Sequence, residues 1–298
     1  MEFQPFATST KDTVAAKSRD ATLVCPACGE PTEHRFLYAK NGCEIFKCET
    51  CGLGRTETAD FDPNAYYTED YFCGGHADGY ADYRSTEPVL RREFAHTVAF
   101  IRKFQSGGRL LELGCAYGFF LQEAKPYFNP VGVELAKDAA NNARRAGLNV
   151  ITGIADQATL SRLGKMDVIV LLDVVEHLPN PRDTLALCVR HLRPGGIIVI
   201  TTGDFGSMTA KLAGARWRLM TPPQHLWFFT RESMRRLAGE LDLTMESFDH
   251  PWKLVPAALI AFQFRRLLGL RPNNSAAGSR VGLPVNLFDA MRVVLRKT

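Results

Sequence analysis

Between residues 109 and 203 the sequence alternates short apolar runs with amphipathic stretches, and that alternation admits few architectures. RLLELGC (109–115) reads as a buried strand entering a glycine turn, FFLQEAKPYF (119–128) as a helix, and VGVE (131–134) as the next strand. Helix AKDAANNARRAG (136–147) and strands NVITG (149–153) and MDVIVLLD (166–173) follow. Helix PRDTLALCVRHL (181–192) has Asn180 as its cap and Pro181 in its first position. RPGG (193–196) then turns into strand IIVITTG (197–203). This order predicts an α/β fold: a Rossmann-like parallel sheet with helices on both faces. Ligands of such sheets bind at the carboxyl ends of the strands, near the switch point.

The first strand ends in ELGCAYG (112–118), which lacks the G-x-G-x-x-G spacing of a dinucleotide loop. Glu112 at the start of the loop suits a ligand with an ammonium group rather than a pyrophosphate. Gly114 lets the backbone pass close to that ligand, and Gly118 lets the following helix pack. Glu134 ends the second strand, placed to accept hydrogen bonds from two ribose hydroxyls.

Ahead of this region, residues 25–51 read CPACGEPTEHRFLYAKNGCEIFKCETC. Cys25/Cys28 and Cys48/Cys51 are two C-x-x-C knuckles, each followed by glycine (Gly29, Gly52). Together they complete an S4 shell with no open position, the pattern of structural zinc. Cys43 is the nearest alternative ligand, inside the expected turn. Phe36–Tyr38 and Ile45–Phe46 would form a hairpin around Asn41-Gly42. So small a unit needs its metal for stability. Whether this ribbon binds substrate or braces its neighbour is open at this point. Metal-binding thiols must stay reduced, so the expected compartment is the cytoplasm.

Four long stretches now look like a known series. LLELGCAYGFFL, VGVE, DVIVLLDVVEHLPNP and LRPGG resemble the successive motifs of class I methyltransferases dependent on S-adenosylmethionine (SAM). RWRLMTPPQHLWFFTRESMRRLAGELDL (216–243) resembles a subgroup with a P-x-H-x-x-F-F segment before a helix. Members of that subgroup often carry an amino-terminal zinc ribbon and a Tyr-rich stretch like NAYYTEDYF (64–72); many are encoded among cell-envelope polysaccharide genes, and others act on small metabolites or antibiotics. Motif I departs at Tyr117, where a small residue is usual. The resemblance implies that Glu112 and the Gly114/Cys115 backbone hold the methionine end of SAM, while Glu134 binds the ribose and Leu135 packs on the adenine. Ile154, Ala155 or Asp156 would meet the adenine edge. Leu172 and Asp173 would lie beside the transferred methyl, and AMRVVLRK (290–297) would insert antiparallel in the sheet.

The expected organisation is a disordered tail (1–20), a zinc ribbon (21–60), and a Tyr-rich linker with a covering helix (61–108). The SAM-dependent domain (109–298) follows, with an apolar insertion at about 252–285. Helix 87–104 would turn Leu90, Phe94, Val98 and Ile101 to the core. Segment 252–270 reads as a lid, a homodimer contact or a membrane-surface helix, the first two preferred; it is too short to span a bilayer.

His225, in the Pro- and aromatic-rich loop TPPQHLWFF, and His177, in DVVEHLP, are the candidate bases for a hydroxyl acceptor, with His225 preferred. The leading function is methyl transfer to a small-molecule or sugar acceptor, at oxygen. An RNA methyltransferase assisted by the ribbon is the alternative enzyme, and a non-catalytic SAM-binding scaffold the third reading. A formal charge of +4 with no basic stripe disfavours nucleic acid.

Overall fold

A computed structural model describes residues 20–58, 83–256 and 281–298. The expectations for the tail, for NAYYTEDYF and most of the Tyr-rich linker, and for 257–280 of the insertion lie outside the described residues.

The ribbon begins with β1 (Ala21–Val24), β2 (Pro31–Lys40), β3 (Cys43–Cys48) and β4 (Gly54–Glu57), paired antiparallel in that order. Lys40 pairs with Cys43, so Asn41-Gly42 is a two-residue turn, and both residues have positive φ (50° and 76°). Asn and Gly enter that conformation most readily, which fixes the hairpin register. Cys43 is thus the first residue of β3 rather than part of the turn.

After a 3-10 turn at Arg84–Thr86 comes helix α1 (Glu87–Ile101). The alternating region gives β5 (Arg109–Leu113), α2 (Phe119–Ala124), β6 (Asn129–Glu134), α3 (Lys137–Arg145) and β7 (Val150–Thr152). It continues through α4 (Gln157–Ser161), β8 (Met166–Leu172), α5 (Pro181–His191), β9 (Leu192–Gly203) and α6 (Met208–Ala213). The last elements are β10 (Trp227–Phe228), α7 (Arg231–Gly239), β11 (Leu243–Asp249), β12 (Lys253–Pro256), β13 (Gly282–Val285) and β14 (Ala290–Lys297).

Seven strands form the central sheet in the order β11-β14-β9-β8-β5-β6-β7. The five from β9 to β7 are parallel, and β14 enters antiparallel between β9 and β11, as expected of residues 290–297. RPGG does not precede β9 as a separate turn. Strand pairing starts at Leu192 with Met166 and jumps to Ile197 with Val168, so the Gly-Pro residues bulge out of the ladder. Ile197, Ile198, Val199 and Ile200 have no exposed surface, as a strand covered on both faces requires. Truncating one of them to alanine would cost about 2–5 kcal/mol. Asn180 caps α5 by accepting from the Asp183 amide, with Pro181 behind it.

Helix α1 places Val98 and Ile101 in the core, while Leu90 and Phe94 pack on a cluster of Tyr83, Tyr117 and Phe119. Its α-helical span ends at Ile101 rather than residue 104, and residues 102–105 close it as turns, with the Arg102 amide on Val98 and the Gln105 amide on Ile101. The ribbon does not stand apart: β10, from the carboxyl part of the chain, pairs antiparallel with β4 as its fifth strand. Among the described residues no helix is long and apolar enough to cross a membrane.

Candidate functional site

The loop after β5 turns through Gly114 (φ 70°), Ala116 (φ 44°) and Gly118 (φ 77°). A Cβ at Gly114 would stand 2.7 Å from Val174, and one at Gly118 would collide with Leu148 beside Ala143. Both glycines therefore allow close packing, Gly114 beside Val174 and Gly118 against Leu148 and Ala143. The amides of Gly114 and Cys115 donate to Val133, and the Cys115 thiol is buried against Gly132.

Glu134 governs this loop. Its two carboxylate oxygens accept the Ala116 and Ala136 amides, each at 2.7 Å. Each oxygen keeps a second lone pair, so the residue still fits a pair of ribose hydroxyls. Glu112 is buried with its Oε2 unpaired, and burial, reinforced by Glu134, raises its pKa well above the usual carboxylate range. An orphaned buried carboxyl fits the ammonium end of SAM. Leu135 follows, half-buried. Asp156 is exposed and caps α4 by accepting from the Thr159 amide at 2.7 Å, so its carboxylate already has a structural task. Tyr117 is buried and stacked on Tyr83 at 5.7 Å.

At the end of β8, Leu172 and Asp173 (φ 55°) open onto a cavity of about 910 Å³. Apolar walls come from α1, β12 and β13 among others, including Leu90, Phe94, Leu254 and Val285. Its polar floor gathers Asp173, Glu176, His177, Arg218, His225 and Lys253. Asp173 accepts from Thr201 at 2.9 Å and from the Lys253 ammonium at 2.8 Å, and Glu93 stands 3.8 Å from the same ammonium. Burial opposes the Asp173 charge, but Lys253 holds its pKa below the usual range. Arg218 grips the buried Asp289 carboxylate with two hydrogen bonds, 2.7 and 2.9 Å.

The two candidate histidines meet. Their rings are 4.7 Å apart, edge to face, although 47 residues of sequence lie between them. His177 Nδ1 bonds the Gln224 carbonyl and His225 Nδ1 the Leu219 carbonyl, both at 2.8 Å. Carbonyl oxygens only accept, so Nδ1 carries the proton in each ring and Nε2 the lone pair. Burial, then His177, pushes His225 down to about 3, which leaves it neutral at pH 7 and a weaker proton acceptor than a free imidazole. Burial also lowers His177.

Sequence reasoning missed Glu176, Lys253, Arg218 and Glu93. Glu176 sat next to His177 in DVVEHLP, where a carboxylate on the catalytic edge was itself a signal. It is buried with Oε2 unpaired, and burial with Asp173 nearby raises it to about 8. Lys253 was the first residue of the apolar run that follows Trp252, twelve positions ahead of its next cation, Arg265.

The ribbon holds this floor in place. Thr56 of β4 donates its hydroxyl to the His225 carbonyl (2.7 Å) and its amide to the Leu226 carbonyl (2.9 Å). Asn41 donates to Pro222 and Lys40 to Ala215, each at 2.8 Å. Its own four sulfurs, from Cys25, Cys28, Cys48 and Cys51, are buried and lie within 4.8 Å of one another. Zinc–sulfur bonds of about 2.3 Å put sulfurs about 3.8 Å apart on a tetrahedron. Cys25 and Cys51 are 3.6 Å apart and Cys28 and Cys48 4.0 Å, so the set fits that ion. Burial and the Cys25 sulfur push Cys28 up to about 12, a cost that a bound dication removes. Cys43 is not in the set, since its thiol donates to the Asn41 carbonyl at 3.7 Å. Cys73 lies outside the described residues.

Residues 84–247 match the family described as a methyltransferase domain. A ubiquinone biosynthesis O-methyltransferase of Caulobacter sp. (strain K31) is 32% identical over 148 residues, covering 45% of this chain and 59% of that protein. One of the same name from Alkalilimnicola ehrlichii is 28% identical over 154 residues, covering 47% and 62%. The chain thus spans less than two thirds of the length of either relative. Among solved structures, magnesium protoporphyrin IX methyltransferase from Synechocystis PCC 6803 with bound SAH superposes at a TM-score of 0.50 with 11% identity, covering 79% of this chain and 98% of that one. That likeness is one of fold.

Proposed function

From the premise that this chain belongs to the methyltransferase-domain family, we propose that it transfers the methyl group of SAM to a hydroxyl oxygen of a small acceptor. The observation that carries the reading is the cavity beside Leu172 and Asp173, with an apolar body and a polar floor centred on Glu176, His177 and His225. It suits a hydroxylated ring or sugar with a nonpolar substituent, and the relatives named for O-methylation support oxygen as the target.

SAM supplies an electrophilic methyl on a sulfonium. Glu112 would take its ammonium, Glu134 its ribose and Leu135 its adenine face, with Gly114, Cys115 and Gly118 shaping the loop. Asp156, if it meets the adenine edge, does so while capping α4. The acceptor oxygen gives its electron pair to the methyl carbon as the C–S pair returns to sulfur, so alignment matters most. The histidine pair borders the cavity where the acceptor's hydroxyl would lie, and His225 is the first residue to test for a part in the loss of its proton.

Joint presence of the ribbon and the P-x-H-x-x-F-F segment, linked through β4 and β10, supports the subgroup resemblance. Four reduced thiols favour the cytoplasm. The described ends of the 252–285 insertion, β12 and β13, wall the cavity, which supports a lid over a dimer contact or a membrane-surface helix.

Incubation with labelled SAM and a host metabolite extract, followed by mass identification, tests the reading. A labelled O-methylated small molecule is expected. Label recovered only in RNA, or no heat of SAM binding in calorimetry, overturns it.

A further inference from the structure

We propose that Glu176, His177 and His225 form a site for one divalent transition-metal ion on the floor of the acceptor cavity, separate from the four-cysteine site. One ligand atom from each residue lies within 4.8 Å of the others. Nitrogen and oxygen ligands about 2.1 Å from a common ion stand about 3–4 Å apart, so small side-chain rotations close the set. Three features of the surroundings argue for an ion rather than for chance proximity.

The tautomers are the first. A histidine that binds metal through one nitrogen almost always donates the other N–H to a carbonyl or carboxylate, which orients the ring. Here both rings do so, through Nδ1 to Gln224 and Leu219. Glu176 is the second: it is 4% exposed, and its Oε2 has no partner although it lies beside the cavity. A buried carboxylate oxygen without a donor is costly, and a cation is the simplest group to satisfy it. Charge is the third. Glu93, Asp173 and Glu176 border the cavity against one ammonium, Lys253, while Arg218 is engaged by Asp289. That excess of acid matches a dication.

Two imidazoles and one carboxylate select zinc, cobalt, iron or manganese over magnesium and calcium, which prefer oxygen alone. Three protein ligands leave positions open, and the opening faces the acceptor cavity. This deepens the function proposed above and rests on it for the chemistry: the acceptor's hydroxyl oxygen becomes a further ligand. Its proton is released to cavity water, as metal-bound hydroxyls ionise more readily. Its electron pair then forms the C–O bond while the C–S pair returns to sulfur.

The test uses full-length protein with zinc already in the ribbon, titrated with Co2+ alone and followed by its visible absorption. One equivalent should bind with the weak bands of a nitrogen/oxygen site and without the sulfur charge-transfer band of a cysteine site. Glu176→Gln and His225→Ala should each raise the Co2+ dissociation constant about tenfold or more. Retained SAM heat in calorimetry shows that the variants fold, and a nearly isosteric Gln guards against collapse of the floor. No uptake beyond the ribbon, sulfur bands only, or uptake equal in wild type and both variants overturns the site. Absence of SAM heat in wild type would instead remove the methyl-transfer reading and leave the metal result standing.

Discussion

At the end proposed to hold SAM, Glu112, Gly114, Gly118 and Glu134 lie within one strand–turn–helix–strand unit, and the Glu134 carboxylate ties its two loops together. At the proposed acceptor end, Glu93, Glu176, Arg218, His225 and Lys253 come from separate segments between α1 and β12, and the four-cysteine ribbon supplies Thr56 and Asn41 as supports. Local construction makes a pocket that survives damage elsewhere. Distributed construction makes one that depends on several docked elements, and whose chemistry can change without disturbing the first.

The largest expected effect separates the two ends directly. His225→Ala should lower methyl transfer by about two to four orders of magnitude, the scale of a positioned group acting on the transferred proton or its oxygen. SAM affinity should stay within about twofold, because the His225 ring bonds Leu219 and faces His177 rather than Glu112 or Glu134. Calorimetry alongside turnover decides the matter: parallel loss of both would mean that the ends form one unit.

Next comes the ribbon. Cys48→Ser should abolish the proposed zinc site and loosen β4, and with it the wall that Thr56 holds. Turnover should fall at least about tenfold, in line with lost support around a site residue, while SAM heat persists. Elemental analysis finding full zinc in this variant would reject the ligand set.

Glu134→Ala probes the other end, and should weaken SAM binding by about 1–3 kcal/mol as ribose hydroxyls and the Ala116 amide lose a charged acceptor. The acceptor's KM should be unchanged. A shifted acceptor KM with intact SAM affinity would place Glu134 at the wrong end.

The smallest effect is on stability against pH. His225 is held near 3 against an ordinary 6.5, so between those values the unfolded chain binds a proton that the native one refuses, and stability rises with pH. Glu176 is raised from 4.5 to about 8, so the native chain keeps a proton that the unfolded one has lost, and stability falls with pH there. The two slopes offset between about pH 5 and 6.5. In protein dialysed free of loosely held metal, Glu176→Gln should expose the His225 slope, about 1 kcal/mol over that interval after solvent screening. Urea midpoints at the two pH values measure it, and a flat variant would show that His225 titrates normally.

The construction of the β5–α2 loop and of the four-cysteine ribbon could be read in advance, because spacing carries the information. C-x-x-C pairs, Asn41-Gly42 and the Glu112–Gly118 loop act over a few residues, and local geometry decides what they do. Glu176 and Lys253 gained meaning only when β8, β12 and the Pro222–Phe228 loop converged on one cavity. Pairing of β10 with β4 involves two residues on each side, too little pattern for any periodicity to register. The packing of Val174 on Gly114 likewise joins residues sixty apart in sequence, beyond the reach of any local pattern.

Placement of β14 carries a consequence for synthesis of the chain. This strand fills the gap between β9 and β11, yet it is the last described element to leave the ribosome. About forty residues separate Asp249 from Ala290, so translation leaves the gap open for on the order of seconds. During that interval the nascent sheet presents the edge of β9, with Ile197–Ile200 along it, to any other unpaired strand. Until β14 arrives, that edge is open to association with other chains. Crowding of nascent chains should therefore limit the yield of this protein more than its finished stability would suggest.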